Sequence, residues 1–309
     1  MCAATLAAAQ SFPTKPIRLI VPYATGGAAG VVARVIADRV GPSIGQPMLV
    51  DHRPGAGTII GVEMAAKAAP DGHTLVLGTI TSHAILTSLK ASVPFDPEKD
   101  FVPISLVASM PFLLVVHPSV PAASLSEFLA LARAKPGQFS FGSAGHGASN
   151  HLAGELLKRV ARIDLTHIAY KGSGPAMLDL LGGQISAVFD LAPTALPQIA
   201  AGKVRALAIT GSRRSPLVPD LPTMAEAGAP GVEVGSWFGI LAPAGTPTGV
   251  INQLHAELAK VMQAADVKAQ LAALGAEALS NTPQEFAAYI AAERTKWARV
   301  VREAGIKPE

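Results

Sequence analysis

Residues 17–40 read IRLIVPYATGGAAGVVARVIADRV. A short apolar run suited to a buried strand (17–23) meets a glycine-rich stretch. Apolar residues recurring at three and four then follow, the spacing of a helix, with Gly45 and Pro47 as its stops. The junction PYATGGAAG (22–30) allows two readings. Its glycines make a tight turn, because glycine adopts positive φ freely, or they leave backbone N–H groups bare for an anion at a helix start.

The alternation continues along the chain. MLVDHR reads as strand, TIIGVEMAAKAA as helix and HTLVLGTI as strand. Such a β-α-β-α-β series implies a parallel sheet with right-handed crossovers. A second series begins near Pro111. FLLVVHP, QFSFGS, LTHIAY, ISAVFD and VRALAIT are its strands. Between them, SLSEFLALARAKPG is a helix with a capping box from Ser124 to Glu127. The stretches NHLAGELLKRVA, GPAMLDLLGG and ALPQIAAG are further helices. Strand character resumes at VEVGSWFGILAPAG (232–245), and three helical stretches end the chain, the last with Thr282 as N-cap, Pro283 at N1 and Glu285 closing the box.

The expected fold is therefore α/β with two domains, mostly parallel sheets flanked by helices and two crossing hinge strands. Residues 12–108 plus 236–309 form one domain and 109–235 the other. A cleft between such domains closes around ligands.

Composition narrows the function. Half of the 309 residues are hydrophobic and 15% are charged, which is globular and not disordered. Aromatic residues make up 5%, too few for base-stacking platforms. The net charge is +3 and the basic residues are scattered, with Arg213-Arg214 the nearest to a cluster. This speaks against a nucleic-acid partner and suits small anionic ligands. Cys2 is the single cysteine, so neither a disulfide nor a thiolate metal site can form within the chain. Residues 3–9, AATLAAA, look like the tail of a signal peptide, with Ala7-Ala8-Ala9 as the cleavage site. Residues 1–11 are read as that tail, and the protein as exported. Gly, Pro or charge breaks every apolar run well short of the ~20 residues of a membrane span.

Two further loops run from strand into helix, GSAGHGASNH (142–151) and YKGSGP (170–175). Open α/β sheets bind ligands at the carboxyl ends of their strands, where such loops lie. Each aims unpaired N–H groups at that edge. One loop alone is as well explained by a turn. Three at equivalent junctions in two domains favour ligand binding. Thr25, Ser143, Ser149 and Ser173 add hydroxyl donors. Tyr23 and Tyr170 serve equally as core or as cleft wall, Trp237 fits core packing and Phe238 a wall. Asp190 ends a strand at the same edge and faces a cationic ligand group or caps the next helix.

Catalytic signatures are missing. GASNH fails the G-x-S-x-G elbow at its last position. No Walker A, H-E-x-x-H or C-x-x-C motif occurs, and GAGTIIG lacks dinucleotide spacing. His83, His146 and His151 lie in or near candidate loops, where a lone histidine is more often a structural hydrogen-bonding residue than a base. His146 and His151 are possible metal ligands, but their flanks supply no acidic or thiol third ligand. No catalytic residue, cofactor or metal is expected.

The chain resembles the Bug-type solute-binding proteins of tripartite tricarboxylate transporters, periplasmic receptors with a Venus-flytrap fold. The resemblance covers residues 12–307. It is carried by FPTKPIRLIVPYATGGAAGVVAR, VDHRPGAGTIIG, AAPDGHTLVLGT, the run from FDPEKDFVPISLV through GSAGHGASNHLAGELL, HIAYKGSGPAMLDLLGGQISAVFD and SWFGILAPAGTP. It implies a non-enzymatic, monomeric receptor that passes a small carboxylate to membrane permease subunits. The family's first loop reads P-Y-x-P-G-G-x-x-D. Here Tyr23, Gly26 and Gly27 match, Thr25 replaces the proline and Gly30 the aspartate.

By this resemblance Gly26, Gly27, Ala28 and Ala29 hold one ligand carboxylate. Ser143, Gly147, Ala148, Ser149 and Ser173, with His146 beside them, grip the far end, and Thr79 and His83 are side walls. Losing the aspartate removes a negative charge, which predicts a ligand without an essential ammonium group, a di- or aromatic carboxylate. A receptor serving a sensor, or a hydrolase using cleft Ser and His residues, are the alternatives.

Overall fold

The computed structural model describes residues 12–89 and 92–304, so the signal-peptide reading of residues 1–11 falls outside the described residues. The opening series forms β1 (Ile17–Val21), α1 (Ala28–Ile44), β2 (Met48–His52), α2 (Ile59–Ala66) and β3 (Thr74–Thr79). β1 pairs in parallel with both β2 and β3, as the crossovers require. Gly45, at φ 82, ends α1 and returns its N–H to Gly41 O. A π-helical turn, Thr81–Ile85, runs into α3 (Leu86–Leu89), where the sequence reading placed only a strand end.

β4 (Phe101–Val116) is one continuous strand despite two prolines. Its first part pairs antiparallel with β9 (Gly235–Pro243), and its register shifts between Pro103 and Ser105. From Phe112 onward it pairs instead with β7 (Ala187–Leu191) and β8 (Arg205–Ile209). Pro111, which has no N–H to donate, falls where the partner changes. β4 thereby carries the chain from a first lobe, built on β2-β1-β3-β9-β4, into a second.

The second lobe adds α4 (Leu125–Ala134), β5 (Ser140–Ser143), α5 (Ser149–Ala161), β6 (Thr166–Ala169), α6 (Ser173–Leu181) and α7 (Ala192–Ala200). Its strand order is β4-β7-β5-β6. The sheet is covered on both faces, and period two sorts the strands accordingly. Phe112, Leu114 and Val116 join one apolar cluster, while Leu113 and Val115 join the other with Ala176, Met177 and Leu180 of α6.

Thr210 clasps the second crossing. Its N–H donates to Phe112 O at 2.8 Å, and its hydroxyl reaches Val234 O just before β9. After β9 the chain forms α8 (Thr248–Gln263), α9 (Ala265–Ala273) and α10 (Pro283–Ala304), which return to the first lobe. Between the last two lies β10 (Glu277–Ala278), a strand that the sequence reading lacked, paired antiparallel with β4.

Candidate functional site

β1, β5 and β6 each lead through a glycine-bearing loop into a helix: α1, α5 and α6. None of these three helix starts is capped by its own N-cap side chain. Away from the cleft, α4 and α10 are capped in that way, while α8 and α9 are not. Ser124 Oγ accepts from Glu127 N–H at 3.2 Å, and Thr282 and Glu285 cap each other reciprocally. An uncapped start leaves its first N–H groups seeking acceptors, and the helix dipole adds positive charge there.

The three starts converge on one cavity of about 40 Å³ between the lobes. Gly27, Ala28 and Ala29 line it from α1, Ala148, Ser149 and Asn150 from α5, and Ser173 from α6. Tyr23, Phe112 and Phe238 supply aromatic walls. Thr81, Ala144, Leu191 and Ser236 complete the lining together with Asp190.

Around this cavity backbone N–H groups bond from one lobe to the other. Ala24 N–H donates to Lys171 O at 3.0 Å, and Ser149 N–H donates to Thr81 Oγ1 at 3.2 Å. A Cβ placed on Gly174 would stand 2.6 Å from Thr25 O, and one on Gly27 would stand 2.9 Å from Ser173 Oγ. At Gly174, where the facing atoms are backbone, only glycine allows so close an approach.

Asp190 is the acidic residue in the lining. It is fully buried at the end of β7, and Oδ2 accepts from Thr194 Oγ1 at 2.5 Å, tying down the start of α7. Oδ1 is buried with no side-chain or backbone partner among the described residues. Burial pushes the carboxyl up to about 6, against the pull of its hydrogen bonds. Asp190 thus anchors the start of α7 through Thr194 and lines the cavity.

Several sequence candidates lie off the cavity. Thr25 and Gly26 are exposed at the seam. Gly30 lies beneath His52, whose Cε1 would be 2.9 Å from a Cβ there, and whose Nδ1 donates to Tyr23 O at 2.9 Å. Thr79 is buried and bonds Tyr23 OH at 3.0 Å, so it positions a wall without lining it. His83 sits in the first lobe's core, with Nδ1 at 2.8 Å from Ser82 Oγ and its ring edge-on to Phe101. Burial lowers its pKa to about 3. Tyr170 donates to Asp179 Oδ2 at 2.7 Å and packs in the second lobe.

Ser143 and Gly147 brace the β5–α5 loop, and the His146 ring lies near those of His151 and His167. Ser143 Oγ donates to Gly145 O at 2.9 Å and meets His167 Nε2 at 2.6 Å, while Gly147 N–H donates to His151 Nδ1 at 3.1 Å. The sequence missed Thr81, Phe112, Ala144, Asn150, Leu191 and Ser236. Asn150 was detectable as the neighbour of Ser149 in the polar first turn of α5. It accepts from Ala144 N–H at 3.1 Å and donates to Phe189 O at 3.2 Å. A larger cavity of about 500 Å³, between the 209–217 loop, β9 and α10, contains none of the sequence candidates.

Two lobes joined by crossing strands, with a cleft of helix starts, define a solute-binding receptor of the periplasmic-binding-protein fold. The profile of the tripartite tricarboxylate transporter family receptor matches residues 32–306, and the chain belongs to that family. Protein BugT of Bordetella pertussis is 40% identical over 300 residues, covering 97% of this chain and 92% of its own. Rpa4515 of R. palustris, solved with adipate, superposes with a TM-score of 0.94 at 35% identity, covering 96% of this chain and all (100%) of its own. MatC from Rhodopseudomonas palustris, solved with bound malate, gives 0.89 at 35% identity over 94% of this chain and 100% of its own.

No described helix is long and apolar enough to cross a membrane.

Proposed function

We propose that the protein is a periplasmic receptor that captures a small carboxylate between its lobes and delivers it to tripartite-tricarboxylate-type permease subunits. The observation that carries this reading is the convergence of three uncapped helix starts, from both lobes, on one cavity. Bare N–H groups at helix starts hold carboxylates without a buried cation. Relatives solved with adipate and malate, both diacids, agree with that chemistry.

Residues 12–108 with 236–309 form one moving unit and 109–235 the other. Ligand bridges the α1 start and the α5 and α6 starts, shifts the equilibrium toward the closed form, and the closed monomer docks on its partner. The site residues are those of the three loops, with Tyr23 and Phe238 against the ligand's apolar portion. With Gly30 beneath His52, the first loop contributes no carboxylate, which favours ligands lacking an ammonium group. The Ser–His pairs, buried Ser143 with half-buried His167 and buried Ser82 with His83, lie off the cavity, so a hydrolytic role has no support from its lining.

A thermal-shift screen tests this, because a ligand that binds only the folded state raises its melting temperature. Adipate, malate and an aromatic monocarboxylate are compared with aspartate and glutamate. The expected result is a shift with one of the first group, confirmed by calorimetry. Tight binding of an amino acid alone would overturn the ligand class, and no response to any acid would overturn the receptor reading.

A further inference from the structure

We propose that His146, His151 and His167 form a binding site for a divalent transition-metal ion of the zinc, copper and nickel type. The site lies beside the ligand cleft and separate from it. The three histidines come from the β5–α5 loop, the first turn of α5 and β6. One ring nitrogen of each lies within 4.8 Å of the others. None of the three lines the cleft cavity.

The geometry suits such an ion. Imidazole nitrogens bind zinc at about 2.0–2.1 Å in a tetrahedral shell, which sets ring centroids roughly 5 Å apart. Here the centroids are 3.9, 4.6 and 5.7 Å apart, bracketing that spacing. The closest pair, His151 and His167, is stacked at 26°, so one of these rings turns to present its nitrogen.

The surrounding hydrogen bonds assign the tautomers. Ser143 gives its one hydroxyl hydrogen to Gly145 O, so His167 donates from Nε2 and its Nδ1 is the acceptor nitrogen. His151 Nδ1 accepts from Gly147 N–H, so its proton is on Nε2, which stands 3.8 Å from Glu155 Oε1. That is beyond hydrogen-bond reach, and a small turn of either side chain would give the carboxylate–histidine arrangement that orients metal-bound imidazoles. Glu155 is also paired with Lys158 at 3.0 Å. Nitrogen donors without a carboxylate set favour zinc, copper or nickel over magnesium or calcium. Metal on His151 Nδ1 would replace the Gly147 N–H and so draw on the loop that carries Ala148 and Ser149.

The test uses the full, untagged chain after dialysis against a chelator. ZnCl2 is titrated by calorimetry, CoCl2 by visible absorption, and MgCl2 serves as control. The expected result is one equivalent of Zn²⁺ bound at micromolar Kd or tighter, with the intense visible bands of four-coordinate Co²⁺ and no response to Mg²⁺. His167→Gln and His146→Gln should each weaken Zn²⁺ at least about tenfold, since even outer-shell partners act on that scale. Their melting temperatures in chelator report whether they fold. Absence of saturable Zn²⁺ binding, weak six-coordinate Co²⁺ bands in the unmodified protein, or tight binding that survives both substitutions would overturn the site. The Co²⁺ spectrum of the unmodified protein decides even where a variant does not fold.

Discussion

Ser149 N–H donates to Thr81 Oγ1 at 3.2 Å, from the start of α5 in one lobe to the π-helical turn of the other. Both residues line the cavity, so this bond ties the two lobes together beside it. Thr81→Val keeps the shape and removes the acceptor. In the closed form a buried N–H then lacks a partner, at a cost of about 1–3 kcal/mol. Carboxylate affinity should fall at least about fivefold while the unliganded melting temperature hardly moves. Calorimetry on the ligand found by the screen checks this, and an unchanged Kd would refute it.

Gly174→Ala separates closure from folding. Its Cβ would meet Thr25 O at 2.6 Å and Gly26 C at 3.0 Å across the seam. Alanine is also the better helix former. The unliganded protein should be at least as stable as before, yet bind carboxylate poorly and show no compaction with ligand in small-angle scattering. Normal compaction would mean that the seam yields.

Asp190 links the cavity to pH. Its folded-state pKa, about 6, lies above the ordinary aspartate value of 3.8. The folded state therefore holds the extra proton between these values. This contribution to stability is fully present below about 4, falls as pH rises toward 6, and is level above it. Asp190→Asn should flatten that segment of the stability curve in denaturant titrations. It should also raise affinity for a dicarboxylate at pH 8, where an ionised Asp190 repels it. Loss of affinity instead would show Asp190 gripping a cationic group.

His83 acts in the opposite direction. Burial lowers its pKa from 6.5 to about 3, so the unfolded chain binds the extra proton in that window. Stability should fall on acidification below about 6.5, by up to roughly 1.4 kcal/mol per pH unit from this residue. His83→Leu should shrink the difference in urea midpoint between pH 7 and pH 5. An equal difference in the variant would assign the acid sensitivity to other groups.

Much of this architecture was legible because it is local. Hydrophobic period alone placed β1, α1 and the strands of the second lobe, and the capping boxes at Ser124 and Thr282 carry their own chemistry. β4 was harder to read, because Pro103 and Pro111 interrupt its pattern, and only its partners show that one proline sits at a register shift and the other where partners change.

From the sequence alone came the alternating α/β order, the three glycine loops at strand ends and the absence of catalytic motifs. Each depends on neighbours a few residues apart. Tertiary structure decided which loop residues face the cavity. It set Thr81 in the lining and His83 in the core, buried Asp190 at its edge, and brought His167 from β6 to His146 and His151. Those outcomes depend on the angle at which two lobes meet and on strands pairing across long stretches of chain, and no local period encodes either.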